Sequence, residues 1–250
     1  MDALFAELMQ AGSSAQRLRE ILARTYLDDV VILGVLRRAV PVRFLELLAA
    51  TPPFSERPRL LGGVALNPRT PRVLALRLLP SLFWRDLADV AASPRLPKGV
   101  RGRAEAILQE QIPDMRLGEK ITLAKIATTP VLVRLLSEAD AKIAYSCLIN
   151  PRLREEELVT AVRQDTAPPA LLEAAAASSR WHDRYAVRLA LALQPRTPLG
   201  VALGQLTSLL DRDLERVSSA PGLRPLVQAA AQRLAEAGPS AGRTSARSGT

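Results

Sequence analysis

The chain has 250 residues, of which 48% are hydrophobic and 24% charged, and its net charge is +9. This composition excludes a disordered chain and is sufficient for one large domain or one repeat array. Apolar stretches such as Val30–Leu36 are far shorter than the roughly 20 residues of a membrane helix, so we expect no membrane association. The acidic N-terminus lacks the basic and apolar segments of a signal peptide, which predicts a cytoplasmic protein.

Residues 1–55 contain helical patterns at 15–25 and 28–39, and we predict that they form an N-terminal helical cap. From residue 56 to 237, apolar residues at helical spacing alternate with corners that contain proline, and strand patterns are nearly absent. This pattern predicts an all-α domain of short helices. Residues 238–250 are rich in Gly, Ser and Arg, which predicts a disordered basic tail.

One phrase occurs twice, as ALNPRTPRVLALRLL at 65–79 and as ALQPRTPLGVALGQL at 192–206. The similarity continues beyond it, because Arg85-Asp86-Leu87 in the first copy matches Arg212-Asp213-Leu214 in the second. A weaker third copy lies at 127–162. Helical repeats of this kind predict an α-solenoid, in which each layer buries its apolar face against its neighbours.

The repeated Pro-Arg-Thr-Pro corner has a structural interpretation. Pro68 and Pro195 end one helix, since proline lacks an amide donor and clashes with the preceding turn. Thr70 and Thr197 are then expected to act as N-caps, with Pro71 and Pro198 at the first helical position. Only the arginine at positions 69 and 196 has no structural role in this interpretation.

The pattern at 187–206, and in part at 64–79, is Val-Arg, an apolar run, Asn/Gln-Pro-Arg-Thr-Pro and Val-x-Leu-x-x-Leu. It resembles the leucine-rich repeat variant, a relative in shape of HEAT-like α-solenoids, over roughly residues 56–236. The resemblance implies a right-handed superhelix of stacked short helices. A described member of that family holds an iron–sulfur cluster with several cysteines near its N-terminus. Because Cys147 is the only cysteine here, we carry no cluster over.

The residue inventory predicts no cofactor and no metal. One cysteine, Cys147, and one histidine, His182, exclude an internal disulfide and a structural zinc site of Cys and His ligands. The acidic cluster Glu155–Glu157 is interpreted as the solvated face of a helix. We also predict no enzymatic activity, since the sequence has no phosphate-binding glycine loop and no convincing nucleophile–base pair around His182.

The leading functional hypothesis is a scaffold that binds another protein. Arg69, Arg152 and Arg196 occupy comparable corner positions, and stacked arginines would suit the carboxylates of an acidic segment. The alternative for these arginines is that they merely solvate the tips of loops. The net positive charge does not decide the partner, because all but four of the basic residues are arginines in a chain rich in Ala, Leu and Val, a bias that GC-rich coding also produces.

The alternative hypothesis is a nucleic-acid-binding protein. Some HEAT-like solenoids are DNA glycosylases that act on alkylated bases with tryptophans, an aspartate and arginines in a basic groove. Two stretches are similar in residue type: Trp84, Arg85 and Asp86, and Trp181, His182, Asp183 and Arg184. A packing role for each tryptophan is the structural alternative, because the chain is poor in aromatic residues that could stack on bases.

Overall fold

A computed structural model of the chain describes residues 2–24 and 28–237. Within these ranges all regular structure is helical, which confirms the all-α prediction. The chain divides into two compact units, Met1–Met115 and Arg116–Thr250. The predicted N-terminal cap at 1–55 lies within the first unit, and its capping role stays a prediction. The predicted tail at 238–250 lies outside the described residues.

The first unit contains eight α-helices in its described part and three short 3-10 helices. The α-helices are α1 (Asp2–Ala11), α2 (Ala15–Leu22), α3 (Asp29–Leu36), α4 (Val42–Ala50), α5 (Pro58–Leu66), α6 (Arg72–Leu78), α7 (Trp84–Ala92) and α8 (Lys98–Gln111). The 3-10 helices are Phe54–Glu56, Leu79–Ser81 and Ile112–Asp114. Helices α2 and α3 are shorter than the patterns at 15–25 and 28–39, because caps and turns, which periodicity does not show, set the ends of helices.

The second unit contains the remaining helices of the described chain. They are α9 (Leu117–Ile126), α10 (Thr129–Leu135), α11 (Ala141–Leu148), α12 (Glu155–Arg163), α13 (Pro169–Ala177), α14 (Tyr185–Leu193), α15 (Leu199–Leu206), α16 (Asp211–Ser219) and α17 (Pro225–Glu236). Among the described residues, no helix has both the length and the apolar character needed to cross a membrane.

In both units, helices that are two apart in the sequence pack against each other. In the first unit α3 packs on α5 and α5 on α7, and in the second α9 packs on α11, α11 on α13 and α12 on α14. Many apolar residues of the helices are buried, as with Leu60 and Val64 on α5 and Leu214 and Val217 on α16. Burial of this apolar surface is the main favourable contribution to folding.

A buried amide side chain lies directly before the first proline of each corner and donates hydrogen bonds to backbone carbonyls. Asn67 Nδ2 donates to the carbonyl oxygens of Leu36 at 2.8 Å and Arg38 at 2.7 Å, and Asn67 Oδ1 accepts from the amide of Arg69 at 3.0 Å. The same arrangement recurs twice: Asn150 donates to Ala124 and Ala127 and accepts from Arg152, and Gln194 donates to Val162 and Gln164 and accepts from Arg196.

These amides connect helices that are not adjacent in the sequence. Asn67 follows α5 and binds carbonyls at the end of α3, Asn150 follows α11 and binds those at the end of α9, and Gln194 follows α14 and binds those at the end of α12. The last carbonyls of a helix have no partner within it, so each amide satisfies groups that would otherwise be unpaired and buried. Each amide therefore joins the end of one helix to the end of the helix two positions earlier in the sequence.

The predicted N-cap role of the corner threonines is wrong. Pro71 and Pro198 themselves occupy the N-cap positions, because α6 begins at Arg72 and α15 at Leu199, which leaves each threonine one residue too early. Thr70 Oγ1 instead donates back to the carbonyl of Val64 at 2.5 Å. Thr197 Oγ1 is buried and has no hydrogen-bond partner among the described residues.

Candidate binding groove

A groove of about 660 Å³ lies in the first unit, between α3, α5 and α7. Its walls are partly apolar and carry charges of both signs, a lining that suits a ligand with apolar and charged parts. It is lined by Leu33, Leu36, Arg37, Arg59, Gly63, Leu66, Pro68, Asp86, Asp89, Ser93, Pro94 and Arg95.

Two glycines on α5 allow the walls of the groove to approach closely. A Cβ atom at Gly62 would lie 2.8 Å from Asp86 Cγ, and one at Gly63 would lie 2.9 Å from the terminal carbons of Leu33 and Leu36. Real Cβ atoms do not approach other atoms this closely, so a Cβ at either position would force the neighbouring side chains or the helices to move. The short distance at Gly62 also places the Asp86 carboxyl group against the backbone of α5.

Asp86 and Asp89 lie one turn apart on the same face of α7. Partial burial raises the pKa of Asp86, the nearby charge of Asp89 raises it further, and Arg59 lowers it. Partial burial also raises the pKa of Asp89, while Arg85 lowers it. In the described part of the chain, neither carboxylate has an ion-pair partner within 4.0 Å. Both groups therefore carry negative charge that the protein compensates only partly.

In the second copy of the repeat, the aspartate that matches Asp86 has a hydrogen-bond donor within the protein. Asp213, the counterpart of Asp86, is buried and accepts a hydrogen bond from the hydroxyl of Tyr185. That hydroxyl also accepts from the amide of Leu210 at 3.2 Å. At the same offset, the first copy has Pro58 in place of Tyr185, and proline has no donor to offer. Asp86 thus faces the groove without the partner that its counterpart has.

Three arginines surround the groove. Arg37, Arg59 and Arg95 are exposed, and none forms an ion pair within 4.0 Å in the described part of the chain. Each guanidinium group offers five N–H donors in a planar arrangement that matches a carboxylate. Sequence reasoning missed these arginines and Asp89, because they come from three separate segments and no local motif marks them.

The first predicted nucleic-acid stretch lies partly in the groove. Asp86 lines it, whereas Trp84 is half-buried at the start of α7 and the guanidinium of Arg85 lies 5.6 Å from the centre of the indole ring. The structure therefore brings Asp86 together with three arginines that the sequence prediction did not include.

The second predicted stretch lies at the junction between α13 and α14, where its tryptophan has a structural role. Trp181 is buried, and its Nε1 donates to the carbonyl of Leu148 at 2.9 Å. Arg180 covers the ring at 4.4 Å and donates to the carbonyls of Asn150 and Leu153. A ring held in this way is not presented to solvent for stacking on a base.

The polar residues of this junction are exposed. His182 Nε2 lies 3.0 Å from Asp183 Oδ2, and Asp183 also pairs with Arg188 at 2.5 Å. The exposed side chain of Arg184 lies 4.0 Å from Glu155. The other ring nitrogen of His182 faces the backbone carbonyl of Ser178 at 3.0 Å, so both ring nitrogens have local contacts and neither contact is to a serine hydroxyl.

The three corner arginines are exposed, and two of them have partners within the protein. Arg152 Nη1 donates to the carbonyl of Ile126 at 2.6 Å, and Arg196 Nη1 donates to the carbonyl of Asp165 at 3.3 Å. Arg69 is exposed in the corner after α5. Arg152 thus pairs with a backbone carbonyl at the end of α9, and Arg196 pairs with one just after α12. Each guanidinium group keeps further N–H donors for a partner.

Cys147 is buried in α11, and burial raises the pKa of its thiol to about 12. A thiol in this environment stays protonated at neutral pH and is a poor nucleophile. Over residues 2–24 and 28–237, no group of three or more His, Cys, Asp or Glu side chains is arranged to hold a metal ion.

No protein-family model matches the chain, and no curated protein or solved structure is significantly similar to it. The resemblance to the leucine-rich repeat variant therefore stays a prediction from short motifs.

Proposed function

We propose that the chain is a non-enzymatic scaffold that binds another protein through the groove of the first unit. The observation that carries this proposal is a groove of about 660 Å³ surrounded by three exposed arginines without ion-pair partners among the described residues. Apolar side chains such as Leu66 line the same groove. Such a lining suits an acidic segment of a partner, since carboxylates accept paired hydrogen bonds from arginine and apolar residues fill the remaining space.

The architecture in this proposal is a right-handed α-solenoid of the HEAT-like or leucine-rich repeat variant kind. Packing between helices two apart, and the amide contact repeated at Asn67, Asn150 and Gln194, support stacked layers within each unit. Solenoids of this kind expose extended surfaces formed by successive repeats, which suits recognition of a protein segment. The corner arginines Arg69, Arg152 and Arg196 are the further contacts that we propose for an acidic partner.

Panning a displayed library of random short peptides on the full chain tests the proposal. We expect acidic peptides to be enriched, and the triple variant R37E/R59E/R95E to bind them at least about tenfold more weakly, because each lost charge-assisted hydrogen bond costs about 1.5–3 kcal/mol. The matched control R17E/R77E/K98E changes the net charge equally at exposed positions outside the groove lining. Equal binding by both triple variants would show that the groove is not the binding surface.

Nucleic acid is the second candidate partner, because the three exposed arginines around the groove could also bind phosphate groups. A glycosylase or DNA-binding protein would lose affinity for duplex DNA steeply as salt increases, since bound phosphates release counterions. Titration of a duplex oligonucleotide at two salt concentrations separates the candidates. Tight, salt-sensitive binding that is lost in R37E/R59E/R95E and kept in R17E/R77E/K98E would replace the protein-scaffold proposal.

A further inference from the structure

We infer that the groove binds an extended protein segment in which one lysine or arginine enters between Asp86 and Asp89 while flanking acidic residues contact the surrounding arginines. This inference rests on the proposed function and adds the chemistry of the segment. The charges in the groove favour such a segment, because the complement of three arginines and two aspartates contains both signs.

The aspartates define where the basic side chain binds. They lie one turn apart on α7, and the Asp86 carboxyl group is held against the backbone at Gly62. Asp86 is half-buried and Asp89 is exposed, and partial burial raises the pKa of both groups, so the ionised form of Asp86 in particular is less well solvated than in water. A bound ammonium or guanidinium group would donate hydrogen bonds to both carboxylates and compensate their charge.

The second copy of the repeat supports a ligand role for Asp86. There, Asp213 is satisfied by Tyr185, and the position matching Asp89 is Arg216. In the first copy the tyrosine is replaced by Pro58 and the arginine by an aspartate, so the acidic pair is specific to this groove. Asp86 therefore lacks the hydroxyl donor that its counterpart Asp213 has, and a second carboxylate, Asp89, lies one turn away.

The walls of the groove suit the rest of the segment. Leu33, Leu36 and Leu66 provide apolar surface along which the methylene groups of a lysine or arginine can pack. The exposed guanidinium groups of Arg37, Arg59 and Arg95 remain for carboxylates on either side. A cavity of about 660 Å³ is within the roughly 300–1,000 Å³ typical of ligand sites, so it holds a short stretch of a segment.

Nucleic acid fits the same groove less well. A phosphate backbone carries only negative charge, and two incompletely compensated carboxylates in the groove would repel it. A segment with charges of both signs satisfies the arginines and the aspartates together, which a uniformly charged polymer cannot do.

The test uses peptides enriched from the random displayed library on the full chain, each remade with its basic residue changed to glutamine. We expect enriched peptides to contain one lysine or arginine flanked by acidic residues, and the glutamine version to bind at least about tenfold more weakly. The variant D86N/D89N should bind the parent peptide at least about tenfold more weakly than the unaltered chain does. It should bind the glutamine version of the peptide as strongly as the unaltered chain does. The control D114N changes an exposed carboxylate outside the groove lining and should bind like the unaltered chain.

A charge exchange provides a second measurement. The variant D89K should bind the parent peptide weakly and recover affinity for a peptide whose basic residue is changed to glutamate. Enriched peptides without a basic residue, whose binding depends on Arg37, Arg59 and Arg95 but not on D86N/D89N, would overturn this inference and leave the proposed function intact. Absence of any peptide whose binding depends on the groove arginines would overturn both, and salt-sensitive duplex binding at the same arginines would assign the groove to nucleic acid.

Discussion

At the residue scale, the corner threonines show that two copies of one motif can have different energetics. Thr70 donates a hydrogen bond to Val64, whereas the hydroxyl of Thr197 is buried without a partner among the described residues. A hydrogen bond contributes about 0.5–1.5 kcal/mol to stability, while burial of an unpaired polar group opposes folding. The same substitution should therefore have opposite effects at the two positions.

We predict that T70V lowers the free energy of unfolding by about 0.5–1.5 kcal/mol, and that T197V leaves it unchanged or raises it by up to about 1 kcal/mol. Urea unfolding followed by circular dichroism measures both, with a midpoint fitted for each transition. Each variant is the control for the other, since both replace a hydroxyl with a methyl group in the same sequence context. A loss in T197V equal to that in T70V would show that the Thr197 hydroxyl is hydrogen-bonded after all.

The residue scale also shows what the sequence could not reveal. The sequence suggested roles for the prolines and threonines of the corner, but none for the buried amides of Asn67, Asn150 and Gln194. Their partners lie 23 to 32 residues earlier in the chain, so no local pattern could indicate them. The signal available was the recurrence of Asn or Gln immediately before proline in all three copies.

At the scale of the elements, helical content was predicted well because apolar spacing and proline positions are properties of the sequence itself. The groove was not predicted, because it depends on how α3, α5 and α7 pack. The glycine pair Gly62-Gly63 on α5 was its one sequence signal, since glycines without a Cβ atom allow close helix packing. Which side chains face the resulting space could be known only once the helices were in place.

The glycines of this unit should respond to substitution according to their surroundings. We predict that G62A lowers the free energy of unfolding by about 1–3 kcal/mol, since the added carbon would lie 2.8 Å from Asp86 Cγ and force α5 or α7 to shift. G102A on α8 has no atom within 4 Å of the added carbon and should raise stability by about 0.5–1 kcal/mol through helix propensity. Thermal unfolding of both variants measures the difference, and stabilisation by G62A would contradict the close approach of α5 and α7.

At the scale of the whole molecule, a net charge of +9 coexists with two carboxylates that lack ion-pair partners among the described residues. Most of the arginines that could neutralise Asp86 and Asp89 are exposed, and only Arg59 and Arg85 lower the pKa of the two groups. The free protein thus keeps an electrostatically unfavourable pair in its groove. Sites that bind ligands often contain such groups, because the ligand supplies the missing compensation.

This pair has a consequence for the pH dependence of stability. A carboxyl group whose pKa is raised by folding contributes stability when protonated, below its pKa in the unfolded chain, and loses that contribution as pH increases through its raised pKa in the folded protein. Above the raised pKa values of the folded protein, both aspartates are ionised and oppose folding. We therefore predict that D86N/D89N is more stable than the unaltered chain at pH 7, and that the difference disappears as pH decreases to the ordinary range of aspartate pKa values.

Urea unfolding at a series of pH values measures this difference, with D114N as the control for loss of one exposed carboxylate outside the groove lining. Asn has the size and shape of Asp, so the comparison isolates the charge. A variant that is less stable than the unaltered chain at pH 7 would mean that the arginines around the groove overcompensate the two carboxylates. In that case the groove would already be satisfied in the free protein, and a basic side chain from a partner would have no uncompensated charge to bind.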